Sequence, residues 1–257
     1  MTPEEILARP AKILSRGDRE RYFEHGYVGT PSVVSGTWLD RIQSCSQHYV
    51  DESRHVNDTD KRFDLEPDHT AEQPRIRRLN SPVDADELFW EFASTGPFVD
   101  IAEDLLGPDI KFHHSKLNYK WSGGGEEVKW HQDIQFWPHT NYDVLTVGVY
   151  LDDVAADMAP MGVIPGSHQG PLYDLYDHDN EWTGHIRSED VPNIGAERRV
   201  TLPGRLELSP CITVAQSTGR PRIGVIVRGR CFSVRTPRAT LYRLPTSLHE
   251  VNTVMRS

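Results

Sequence analysis

The chain has 257 residues, of which 37% are hydrophobic and 26% charged, and it carries a net charge of −10. That length suits one large domain with a sizeable core. No apolar run approaches the ~18 residues of a membrane helix, and the acidic balance argues against nucleic acid or an anionic membrane as the main partner. The opening stretch mixes acids and bases without an apolar centre, so no signal peptide is expected. Three cysteines (Cys45, Cys211 and Cys231) are an odd number without metal-type spacing, which fits a reducing cytoplasm.

The first 50 residues read as helical. SRGDRERYFEHGYV offers Ser15 as an N-cap, Tyr22 and Phe23 on an inner face, and a stop near Gly26. GTWLDRIQSCSQHYVDESRHV repeats Leu39, Ile42 and Tyr49 at near-helical spacing. Residues 51–83 are polar and rich in Asp, Arg and Pro, and predict a loop with little regular structure. Two short helices follow, near 87–94 and 97–106, the second stopped by Gly107 and Pro108.

From Ile110 the pattern shortens. IKFHHSKLNYKW is a strand candidate, WSGGGEE a turn, and EVKWHQDIQFW a strand running into a loop. DVLTVGVYLDDV is dense in β-branched residues and is the clearest strand. MGVIPGSH predicts a short strand with a Pro-Gly turn, residues 171–196 a long polar insertion, and ERRVTLPG another strand. Helices first and short strands after imply a mainly β (α+β) fold, a jelly roll or sandwich with helices packed outside it. No repeat or low-complexity tract interrupts it.

The chemistry centres on WHQDIQFWP, residues 130–138. On an extended segment residues i and i+2 share a side, so His131 and Asp133 can converge on one ion while Gln132 points away. An imidazole and a carboxylate supply two of the three ligands in the two-His-one-carboxylate triad of non-haem Fe(II) oxygenases. The competing reading is a strand-end histidine hydrogen-bonded to a nearby carboxylate, an ordinary surface pair.

The order of motifs resembles the phytanoyl-CoA dioxygenase (PhyH) family of Fe(II)- and 2-oxoglutarate-dependent oxygenases. WHQD followed by FWP, then LTV…LDDV, then IPGSH carry the resemblance, with YFEHGYV and DLLGPDI supporting it, over about residues 15–203. The resemblance implies a double-stranded β-helix with iron at one mouth, residues 1–203 forming helices plus oxygenase core. It implies His131 and Asp133 as iron ligands and catalytic residues, Lys116 as a 2-oxoglutarate contact, and Asn118 and Thr146 as weaker co-substrate candidates. Gly148 stands where many members have a tryptophan. The implied reaction decarboxylates 2-oxoglutarate to succinate and uses dioxygen to hydroxylate an unactivated C–H bond of a small molecule.

Other residues invite plainer readings. Of His113 and His114, adjacent on a strand, one is expected to face solvent and one to pack at the site rim. Trp130, Phe136 and Trp137 are expected to be walls of core or pocket, and Gly123–Gly125 a flexible turn without the strand–helix context of a phosphate loop. His168 falls in a structural loop of the family. The insertion reads as a substrate lid or an exposed loop.

Residues 201–257 break the pattern. They hold nine arginines, no lysine, no aspartate and two glutamates, whereas the first 200 residues balance to −17. The family's second histidine lies in a stretch like R-T-V-H-G-S, followed by an arginine for 2-oxoglutarate. The matching region, ITVAQSTGRPRIGVIVRGR at 212–230, contains no histidine, and only His249 follows His185. Arg220, Arg222, Arg228 and Arg230 sit at no recognisable offset. One choice of codons for residues 210–223, read one base earlier, spells V-H-Y-G-R-T-V-H-G-S-A-P-N. A departure from the family's reading frame near Gly204 therefore accounts for an atypical tail over 204–257, for disruption of the last strands and for the absent ligand. The alternatives are an oxygenase, an impaired relative that keeps only a pocket, and an arginine-rich docking arm for an acidic partner.

Overall fold

The computed structural model describes residues 1–30, 33–121, 128–136, 143–158, 160–204 and 212–217, the last segment as backbone. Helix α1 spans Pro3–Leu7 and α2 Arg16–His25. The Ser15 hydroxyl caps α2 by accepting from the Asp18 amide, and Gly26 ends it at φ 82°. That backbone is left-handed, where a side chain is strained, and a Cβ there would lie 2.3 Å from Nδ1 of the buried His168. Strand β1, Tyr27–Thr30, interrupts the expected helical run. Helix α3, Gly36–Glu52, is capped by Ser35 and buries Leu39, Ile42, Cys45 and Tyr49.

Residues 51–83 correct the expectation of a loop. They contain strands β2, Phe63–Leu65, and β3, Ile76–Asn80, paired antiparallel. Phe63, Leu65, Ile76 and Leu79 are buried, while Asp64 and Arg77 join in an ion pair of 2.8 Å beside them. The charged residues alternating with so few apolar ones mask the strand period. Helices α4, Pro82–Ala85, α5, Glu87–Thr95, and α6, Pro97–Leu106, come next, the last two where the sequence places them.

The remaining strands are β4, Lys116–Asn118, β5, Val144–Val149, β6, Met161–Val163, β7, Val200–Leu202, and β8, Ile212–Ser217. They form antiparallel sheets in the orders β1-β8-β5, β2-β3-β4 and β6-β7. Strand β5 is buried throughout. Its Leu145, Val147 and Val149 share a core with Leu39 and Ile42 of α3, Phe89 and Phe92 of α5, and Phe98, Ile101 and Leu105 of α6. Within 204–257, β8 pairs on both sides, Val214 opposite Val28 and Val147. The turn at Gly123–Gly125, Trp137, Cys211, Cys231, His249 and the arginines from Arg220 to Arg230 lie outside the described residues.

A buried carboxylate ties the N-terminal segment to α6. Asp104 accepts from the backbone amides of Lys12, Ile13 and Leu14 at 2.7–2.8 Å. Arg19, equally buried, donates to the carbonyls of Asp104, Arg9 and Ile6.

Candidate active site

The segment 128–136 is not the expected strand. Residues 128–132 are irregular, and Asp133–Phe136 form one 3-10 turn. Its backbone bonds elsewhere: the Trp130 carbonyl accepts from the Ile186 amide at 2.7 Å. The i, i+2 strand argument therefore gives the right neighbours by the wrong geometry. His131 and Asp133 still converge, with Nε2 3.3 Å from Oδ1.

The pair is buried, with His131 7% and Asp133 9% exposed, so it is not a surface pair. Each group is held from behind. His131 Nδ1 lies 2.9 Å from the Lys129 carbonyl. A carbonyl only accepts, so this nitrogen carries a proton, and Nε2 is the ring atom directed at Asp133. The Thr146 hydroxyl on β5 donates to Asp133 Oδ2 at 2.9 Å, which turns Oδ1 toward the imidazole. A second proton on the ring, or a metal ion held by both atoms, accounts for this approach of 3.3 Å. The ring and carboxylate oxygen are both suitable donors for a first-row divalent metal, so the pair fits two positions of such a site. Among the described residues, no group of three or more His, Cys, Asp or Glu side chains completes it.

Lys116 and Asn118 flank Leu117 on β4; Leu117 enters the core, so the two polar side chains leave the opposite face. Asn118 Oδ1 accepts from Arg78 on β3 at 3.0 Å. Gly148 on β5 lies opposite Thr213 of β8. His113 and His114 correct their expectation: both are half-buried and meet Nδ1 to Nδ1 at 2.9 Å. His168 is in a 3-10 turn, Ser167–Gln169, and its Nε2 lies 3.2 Å from the Phe23 carbonyl. Burial lowers its pKa, with the charge of His25 adding to that and the Phe23 carbonyl opposing it. Trp130 packs with Ile164, Leu175 and Ile186, as a core wall. Phe136 stands edge-on to His131, ring centroids 5.4 Å apart.

Sequence reasoning named Thr146 for a different task and overlooked the side chains of Gln132 and Gln135. Thr146 falls in an alternation of apolar residues on the wholly buried β5, and a hydroxyl there needs a partner. That was the available signal. Nothing local in the sequence signals that the two glutamines reach into residues 171–173.

Comparison with solved structures assigns the architecture. EctD from S. alaskensis with bound Fe superposes with a TM-score of 0.69 at 18% identity, covering 93% of this chain and 82% of that one. The carbocyclase SnoK from nogalamycin biosynthesis gives 0.61 at 19%, covering 95% and 94%. The fold is the double-stranded β-helix of Fe(II)/2-oxoglutarate oxygenases.

The chain belongs to the phytanoyl-CoA dioxygenase (PhyH) family, whose model matches residues 22–205. Members of this family use Fe(II) and 2-oxoglutarate, and EctD has been crystallised with 2-oxoglutarate and 5-hydroxyectoine. A probable alpha-ketoglutarate-dependent hypophosphite dioxygenase of Stutzerimonas stutzeri is 30% identical over 168 residues, 65% of this chain and 57% of that protein. L-Proline trans-4-hydroxylase of Streptomyces griseoviridis is 31% identical over 123 residues, 44% and 46% of the two chains. The chain thus spans about half the length of the curated relatives it matches.

Proposed function

We propose that the chain is an Fe(II)- and 2-oxoglutarate-dependent oxygenase in which His131 and Asp133 hold the metal and a small molecule is oxidised at an unactivated C–H bond. The observation that carries this is the buried approach of His131 Nε2 to Asp133 Oδ1 at 3.3 Å, both groups fixed from behind. Bound there, iron supplies dioxygen activation coupled to decarboxylation of 2-oxoglutarate to succinate. The protein's part is placement. The Lys129 carbonyl sets the tautomer of His131, Thr146 orients the carboxylate, and the ring of Phe136 shields the imidazole from water on one side. Lys116, half-buried on β4, is the candidate ammonium for a 2-oxoglutarate carboxylate, with Asn118 beside it. The substrate is a small molecule, as in relatives named for proline and ectoine.

A second reading is an impaired relative that keeps the pocket without turnover. It is favoured by the missing histidine in residues 212–230 and by the absence of a third donor among the described residues. Two protein ligands hold Fe(II) weakly, because ligand number sets affinity. Titration with Fe(II) under anaerobic conditions, followed by a succinate assay with 2-oxoglutarate, separates the two. Stoichiometric binding and succinate formation support the oxygenase. A folded protein that gives neither supports the impaired relative. The gene's nucleotide sequence tests the frame: codons at 210–223 that cannot be shifted into the V-H-Y-G-R-T-V-H-G-S motif end that explanation.

A further inference from the structure

Gln132 stands between the two groups of the candidate site and is 3% exposed. Its amide acts as a strand edge would. Nε2 donates to the Pro171 carbonyl at 2.9 Å, and Oε1 accepts from the Tyr173 amide at 2.9 Å and from Gln135 Nε2 at 3.0 Å. Gln135 Nε2 also donates to the Tyr173 carbonyl at 2.9 Å. Two side chains of the turn that carries Asp133 thus bind the root of the 171–196 insertion, and the Ile186 amide returns to Trp130.

The insertion is braced internally. Arg187 donates to the Asp174 carboxylate at 2.7 Å and to the Tyr176 carbonyl at 2.6 Å, and Tyr176 forms a β-bridge with Trp182. Its far side meets the site. Trp182 lies edge-on to Phe136 at 5.4 Å, and Phe136 edge-on to His131 at the same separation. Gly184, at φ 69°, lets the chain close on the Phe136 ring; a Cβ there would sit 3.4 Å from it. Phe136 and Trp182 are each 37% exposed, so their apolar edges remain available to a ligand.

We infer that Gln132 is a positioning residue: it clamps the 171–186 arm to the His131–Asp133 turn, so that Trp182 on Phe136 forms the outer wall that selects the small molecule. What the wall faces rests on the proposed function; the clamp does not. The test is Gln132→Met, which keeps the volume and removes the hydrogen bonds. Amide hydrogen exchange in peptides covering 172–186 should quicken about tenfold, while β5 and α3 keep the wild-type rate. The emission of Trp182, taken as the difference between each protein and its Trp182→Phe counterpart, should shift to the red as the ring leaves Phe136. Exchange in the arm equal to wild type overturns the clamp. Exchange that rises equally in β5 and α3 also overturns it, since Gln132 would then be ordinary core. Fe(II) titration of the wild type reports separately: failure to bind sinks the metal reading and leaves the exchange result standing.

Discussion

Two buried aspartates in this molecule have opposite surroundings. Asp104 spends both oxygens on three backbone amides and lies beside a buried arginine that binds carbonyls. Asp133 gives one oxygen to the Thr146 hydroxyl and turns the other to Nε2 of His131. The first arrangement joins α6 to the N-terminal segment through backbone amides. The second sets a carboxylate oxygen against an imidazole. Burial of a carboxylate therefore does not distinguish structure from chemistry; the nature of the partners does.

Matched substitutions sharpen this contrast. Asp104→Asn should cost about 3 kcal/mol of stability in chemical denaturation, because an amide NH2 would be set against backbone N–H donors, and it should leave Fe(II) affinity unchanged. Asp133→Asn should do the reverse, lowering Fe(II) affinity on the order of 100-fold in an anaerobic titration with stability kept within about 1 kcal/mol. Exchange of those two outcomes would break the comparison. Thr146→Val, which frees the carboxylate to rotate, should weaken Fe(II) by about tenfold. The smallest effect concerns His168, a third buried ionisable group that stands neutral. Its pKa is lowered in the folded state, so the unfolded chain takes up a proton first as pH falls. Stability from this group is full above the unfolded value, about 6.5, and declines below it. Denaturation at pH 7.5 and 5.5 should show that decline, and His168→Gln should reduce it.

Helices α2 and α6 were legible because their ends are marked: Ser15 caps α2, and Gly26 and Gly107 stop α2 and α6. Strand β5 declared itself by its density of β-branched residues, Val144, Thr146, Val147 and Val149, as expected of a strand buried on both faces. The β2–β3 hairpin did not, because Asp64, Arg77 and Arg78 hide a two-residue period in a short run. At the proposed site, the convergence of His131 and Asp133 was readable from their motif, but its geometry was not. An irregular stretch running into a 3-10 turn brings them together, and what fixes them comes from Thr146 and a carbonyl, neither of which a local pattern reveals. The glutamine clamp depends on a partner about forty positions away, which is a tertiary fact.

Strand β8 lies between β1 and β5, so among the described strands residues 27–30 and 144–149 are joined through residues 212–217. During synthesis β1 must wait until residues 212–217 are translated before its neighbour exists. A nascent chain halted before residue 212 would carry two unzipped borders, and nascent-chain proteolysis should find it cleavable there until the strand emerges.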